Sequence, residues 1–447
     1  MGQISFIMKA ITLLLIFSLF SFQDLFSQDW DKTKLERYFD LIEGEDRAMG
    51  SVMLMQNGEV VYYRNFGYAD REQKQAIDQE SKFRTGSISK TFTSTLIFKT
   101  IEEGKLDLGQ SIDKFFPELE KADEITISDL LNHRSGIFSL TSQPDYLSWN
   151  TEPKNREDLY SIILKGRRVF EPGSKAEYSN SNYVLLTWVL EDIYQKPYSE
   201  LLAKIISKPL GLENTYVGKA FSPENGEVNS YKFPGKWIQE SITDMSIPLG
   251  AGAVVSTPQD LSHFIRSLMQ GKIISEESLS SMTEIKDNYG RGIFKIPFYE
   301  DFAFGHDGGI DGFRSNLSYF PERDLAYCLT LNGVSFDPNQ ISIAVLSAFF
   351  GKEFELPVFK DISLTEEELD KMAGTYAAPG FPLDITIRRE HMSLMAQATG
   401  QPEFPLEYEE DNKFVFKMAN LSLEFFPETE EMSFEQGPLK FMMKKKE

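Results

Sequence analysis

The chain has 447 residues, a formal net charge of −22 and a single cysteine. That length buries a sizeable core and exceeds one ordinary domain. The acidic balance excludes a nucleic-acid binder, which needs basic surface to displace counterions, and one cysteine excludes an internal disulfide.

The first residues, "MGQISFIMK", lead into the apolar run "AITLLLIFSLFSF" from Ala10 to Phe22. That run is shorter than the roughly 20 residues needed to span a bilayer, and it suits the apolar centre of a signal peptide. The expectation is a signal peptide over residues 1–27, cut after Ser27, and export to the periplasm or the medium. Contact with a membrane is expected only if this segment stays uncleaved.

Further along, "VMLMQNGEVVYYRNFGYAD" alternates apolar and polar residues around Asn57-Gly58 and predicts a hairpin. An amphipathic helix is expected from Ser87 through Ile88, Phe92, Leu96 and Ile101 to a stop at Gly104. The middle third is helix-rich, with "TISDLLNHRSGI", "REDLYSIILKG", "SNYVLLTWVLEDIYQ", "YSELLAKIISKPLG" and "STPQDLSHFIRSLMQG". Strand character returns in "FAFGHDGGIDGFRSNLSYFPERDLAYCLTLNG", where Cys328 reads as a core residue, and "ISIAVLSAFFG" closes as a helix. The fold class is therefore α+β: an antiparallel sheet flanked by helices with a helical insertion, over residues 28–352. Alternating runs such as "LDITIRREHMSLMAQ" and "KFVFKMANLSLEFFPE" predict a small all-β domain, barrel-like, over 363–447.

Three stretches carry candidate chemistry. In "RTGSISKTFTS", Ser87 and Lys90 lie three apart and share a helix face. A cation at a helix N-terminus is disfavoured by about 0.3–1 kcal/mol. Lysine is thus a poor choice for stability there, but the same field lowers its pKa and frees an amine to take a serine proton. The plain alternative is a serine cap and a solvated lysine. Ser-x-x-Lys is a loose pattern, since "SIDK" at Ser111–Lys114 also matches, without a helical pattern behind it; Ser87 differs by a strand-like lead, Gly86 immediately before and the helix after.

In "FEPGSKAEYSNSNYVLL", Tyr178 and Asn180 stand two apart before a helix. A phenol beside an amine can relay protons, and an amide can orient a carbonyl or the lysine; Asn180 as an ordinary cap is the alternative. Tyr63-Arg64-Asn65 repeats that spelling inside a strand. In "GHDGGIDGFRS", His306 precedes Gly308 and Gly309, glycines that let backbone approach a ligand closely. The Gly309 N–H and the Ser87 N–H could together hold an oxyanion, and His306 could polarise substrate or tune Lys90. A surface-turn histidine is the alternative.

Together and in this order, the three stretches resemble the serine β-lactamase and penicillin-binding-protein superfamily, in particular its class C-like branch of hydrolases and esterases. The likeness extends to "TISDLLNHRSGI", "KPLGLENTY" and "GAGAVVSTPQDLSHF" and covers roughly residues 30 to 350. It implies that Ser87 is the nucleophile, Lys90 its activator and Tyr178 the general acid/base. Asn180 becomes a substrate-orienting amide, and His306-Asp307-Gly308 a strand motif lining the site. β-Lactamases of this family usually carry lysine where His306 stands, and histidine there is more similar to its peptidase-like and uncharacterised members; the expected action is β-lactamase-like, D-peptidase-like or esterase-like, with Arg314 or a nearby lysine a candidate for binding a substrate carboxylate.

The expected activity is metal-free and cofactor-free acyl transfer through Ser87, with a small-molecule or peptide amide or ester as substrate. A non-hydrolysing sensor or cell-wall-fragment binder is the alternative. A triad of Ser87, His306 and Asp307 or Asp311 leaves Lys90 and Tyr178 unused. The four histidines (133, 263, 306, 391) are scattered, without His-Glu-x-x-His. His133 reads as a structural loop residue. "SLTSQPDYLSWNTEPKN" is a candidate lid through Tyr146 or Trp149. Oligomeric state is not legible.

Overall fold

In the computed structural model, which describes residues 30–360, 362–399, 403–416 and 419–446, the Asn57-Gly58 pair closes the expected hairpin. Both turn residues take positive φ, 53° and 86°, the conformation a tight hairpin turn needs. The predicted signal segment 1–27 lies outside the described residues.

The hairpin strands β1 (Ala48–Gln56) and β2 (Glu59–Phe66) form one side of a six-stranded antiparallel sheet. The others are β3 (Phe294–Phe298), β4 (Asp301–Ile310), β5 (Phe313–Phe320) and β6 (Leu325–Val334), in the order β3-β4-β5-β6-β1-β2. β6 pairs with β1, so strands far apart in sequence meet at the centre, where "LAYCLTLNG" is buried along its length and Cys328 is fully enclosed. Between β2 and β3 the chain makes the predicted helical insertion. Helix Ser89–Glu102, helix Asn180–Tyr194 and helix Pro258–Met269 share one apolar core with Met53, Leu317 and Cys328 of the sheet. Phe92 stacks on Phe264 at a ring separation of 3.6 Å.

Two expectations need correction. Helix Ser89–Glu102 is not amphipathic: it is buried on every side from Ser89 to Phe98. Its hydroxyl residues can be enclosed because their side chains bond to carbonyls, Thr95 to Thr91, Thr91 to Gly292 and Thr93 to Gly250. The predicted single helix in "YSELLAKIISKPLG" is instead two short α segments joined by a π turn over Ala203–Ser207.

A three-stranded sheet not foreseen from sequence, Phe83–Arg84, Val254–Ser256 and Tyr216–Val217, holds the chain entering Ser87. After Phe359, helix Glu366–Met372 leads into nine strands between Gly374 and Lys445, a nearly closed barrel whose end strands are separated by Leu406 alone. Tyr376, Leu394, Phe414, Leu423 and Met432 form its separate core. The described residues divide into two compact units, one of 43–338 with 359–446 and one joining 30–42 to Asn339–Val358. In the latter, Trp30 meets Phe349 edge-on at 5.8 Å and Lys34 lies over Phe354.

Candidate active site

Ser87 sits in a 3₁₀ turn, Gly86–Ile88, just before its helix, and caps nothing. Gly86 has φ 53°, and a Cβ there would lie 2.8 Å from the Gly309 nitrogen. Only glycine fits both demands, and the close approach sets the Ser87 turn against β4. Thr85 is tied to Val254 by backbone and side chain, and the Val254 N–H donates to Ser89 Oγ. One stretch, "GAGAVVS", therefore anchors both ends of the turn.

Lys90 Nζ lies 3.0 Å from Ser87 Oγ, 2.8 Å from Asn180 Oδ1 and 2.7 Å from the Ala251 carbonyl. Its side chain is fully buried and, among the described residues, forms no ion pair, so burial holds the amine well below the ordinary lysine value. The rings of Tyr178 and Tyr183, 4.8 and 5.6 Å away, favour a cation only modestly against that cost. Counting hydrogens gives the same answer. A neutral amine has two N–H groups for Asn180 and Ala251 and one lone pair, which is left facing the Ser87 hydroxyl.

Tyr178 Oη donates to Ser87 Oγ at 2.8 Å, and burial raises its pKa, so the phenol keeps its proton at neutral pH. Tyr178 rests on the ring of His133 at 4.3 Å. His133 Nδ1 accepts from the Ser179 N–H at 3.1 Å and its carbonyl accepts from the Glu177 N–H, so this buried, neutral imidazole fixes the segment that carries Tyr178. Asn180 is the first residue of its helix rather than its cap. Its Nδ2 donates to Thr141 Oγ1 at 2.8 Å, which turns Oδ1 towards Lys90.

Ser87, Lys90, Tyr178 and Asn180 thus come together, while the third motif divides. Gly309 lines the same cavity as Ser87. His306 is buried behind it, with Nδ1 2.6 Å from the Asp307 carbonyl and its ring 4.6 Å from Phe294. Burial and then Lys90 push its pKa down to about 3, so it is neutral and supplies no positive charge. Gly305 and Gly308 do not make room for a ligand; a Cβ would collide with the Leu317 carbonyl at one and the Thr85 carbonyl at the other. Nor does His306 form a triad, because Asp307 bonds Asn316 and Asp311 accepts from Thr243 N–H and Oγ1 and faces Arg84 at 3.8 Å.

The cavity has a volume of about 710 Å³. Leu140, Thr141, Tyr146 and Leu147 of the predicted lid segment form one wall, with Trp149 packed edge-on against Tyr146 at 5.0 Å. Residues 238–241 form another. His133, Thr141 and the Ala251 carbonyl have site roles that sequence reasoning did not assign. The only signal was the presence of His133 and Ala251 in the stretches "LNHRSGI" and "GAGAVVS". Among the described residues no cluster of His, Cys, Asp or Glu could hold a metal ion.

A serine bonded to a buried lysine and a tyrosine, beside an antiparallel sheet with a helical insertion, defines a serine hydrolase of the β-lactamase and penicillin-binding-protein type. The Beta-lactamase family profile matches residues 25–351, and the chain belongs to that family. The putative penicillin-binding protein PbpX of Bacillus subtilis (strain 168) is 28% identical over 268 residues, 59% of this chain and 66% of that protein. Teichoic acid D-alanine hydrolase of Staphylococcus aureus (strain MRSA252) is 26% identical over 282 residues, 61% of this chain and 67% of the hydrolase. The chain thus spans about two thirds of the length of both curated relatives. The crystal structure of D-amino acid amidase from Ochrobactrum anthropi SV3 complexed with L-phenylalanine amide superposes with a TM-score of 0.62 at 26% identity, covering 71% of this chain and 97% of the amidase.

Proposed function

We propose that the protein is an exported hydrolase that cleaves an amide or ester through an acyl-enzyme on Ser87. The observation that carries this reading is the pair of contacts on Ser87 Oγ, from a buried, uncompensated lysine amine and from a phenol. As Ser87 Oγ bonds to the substrate carbonyl carbon, its proton passes to Lys90 Nζ. The carbonyl oxygen takes the negative charge, and the Ser87 and Gly309 amides are the donors on hand to hold it. When the C–N or C–O bond breaks, the leaving atom takes a proton from Tyr178, and the Lys90 ammonium restores the phenol. Water then attacks the acyl carbon, giving up its proton to the same pair, and Ser87 leaves with its hydrogen restored.

Export rests on the N-terminal segment, and its check is the mass of the protein recovered from its own cells. For the chemistry, intact-mass spectrometry of wild type and Ser87→Ala with a fluorophosphonate, a penicillin, an activated ester and a D-amino-acid peptide amide is decisive. A transient adduct on wild type alone, with product release, is the expected result. No adduct on folded wild type would overturn the reading, and an adduct that never clears would favour the sensor.

A further inference from the structure

The charged groups at the cavity are unequally matched. Lys232, on its wall, is held by Glu390 of the barrel at 2.9 Å. Asp311 is satisfied by Thr243 and Arg84. Arg314 lies beside the cavity and donates to the carbonyls of Asp311 and Phe313 at 2.8 and 2.7 Å. Glu240 also lines the cavity, yet among the described residues its carboxylate has no hydrogen bond and no ion pair within 4.0 Å. Lys232 and Arg314 reach it only at longer range, and burial raises its pKa.

This carboxylate is also held in place. The Glu240 N–H donates to the Ser230 carbonyl at 2.9 Å, following a short hairpin of Tyr231–Lys232 and Ile238–Gln239. The barrel braces that hairpin: the Met392 N–H donates to the Pro234 carbonyl at 3.2 Å, and Gly235, at φ 85°, packs so closely on Met392 that a Cβ would collide with it. A half-buried anion without a counter-ion, facing the cavity that holds the nucleophile, loses hydration that a bound cation restores. A substrate carboxylate finds Lys232 already paired with Glu390 and His306 neutral, whereas Arg314 spends only its Nη1 on the two carbonyls and keeps its charge.

Resting on the hydrolase reading above, we propose that Glu240 selects substrates bearing an ammonium group, aminoacyl amides or esters, over their neutral acylated forms. The barrel has a part in this selection, because Glu390 keeps Lys232 from neutralising Glu240.

The test measures kcat and KM of wild type, Glu240→Gln and Glu240→Lys on alanine p-nitroanilide, in both enantiomers, and on its N-acetyl and N-succinyl forms. Alanine methyl ester and its N-acetyl form separate ester from amide. Fluorophosphonate labelling of Ser87 reports whether each variant keeps a working nucleophile. Wild type is expected to prefer the free ammonium, and Glu240→Gln to cut the ammonium-to-acetyl ratio about tenfold or more, chiefly through KM. Glu240→Lys is expected to turn the preference towards the succinyl form. If no compound turns over, the same comparison is read as protection of Ser87 from the probe. A labelled wild type whose ratio is unmoved by Glu240→Gln overturns this inference alone, whereas an unlabelled wild type overturns the hydrolase reading and this inference with it.

Discussion

Ser87–Lys90 and Ser111–Lys114 share the spelling Ser-x-x-Lys and nothing else that matters. At the second, Ser111 is extended, its hydroxyl bonds Asp113, and Lys114 points into solvent from a single 3₁₀ turn. At the first, the lysine is enclosed, has no counter-charge among the described residues, and gives two N–H donors to an amide and a carbonyl. What separates the two is the burial of an amine whose lone pair is left for serine, and a four-residue pattern does not encode burial.

The comparison breaks if the two sites respond alike. Ser87→Ala should abolish fluorophosphonate labelling by intact mass and lower turnover about 10⁴-fold or more; Ser111→Ala should change neither. Lys90→Ala should slow labelling about 10³-fold, against no effect for Lys114→Ala in the same assay. Tyr178→Phe should cost about 10²-fold in kcat, because the leaving group loses its proton donor. His133→Ala should cost about tenfold in kcat through a displaced Tyr178. It also leaves the buried Ser179 N–H without its acceptor, a loss of about 1–3 kcal/mol in urea unfolding.

The parts of the fold legible in sequence obey local rules. Asn57-Gly58 demands a hairpin, and period-2 alternation marks β4 to β6. Of the short strands that seat Ser87, only the strand-like lead at Phe83–Arg84 was legible; its partners were not, since the two residues of Tyr216–Val217 have no periodicity to detect. The Ser87 helix misled for another reason: threonines look polar in a pattern, yet their hydroxyls bond backbone carbonyls and go inside. At the candidate site, three spaced motifs picked out Ser87, Lys90, Tyr178 and Asn180, and the fold brings these four together. Thr141, Ala251 and Glu240 arrive from distant segments, one of them only as a carbonyl, and no spacing announces them. His306 stood out in sequence beside its glycines, but in the structure Gly305 and Gly308 accommodate neighbouring backbone, only Gly309 of the three reaches the cavity, and the histidine lies behind the cavity wall.

The most direct test of the account is the pH dependence of Ser87 labelling by fluorophosphonate, followed by intact mass in wild type and Lys90→Ala. A buried amine with a lowered pKa is already neutral at moderate pH and gains its proton only as pH falls. The account predicts a labelling rate that is flat through the alkaline range and falls tenfold per unit on the acid side, with that limb absent in Lys90→Ala. A wild-type rate still climbing through about pH 10, where an ordinary lysine titrates, would contradict it.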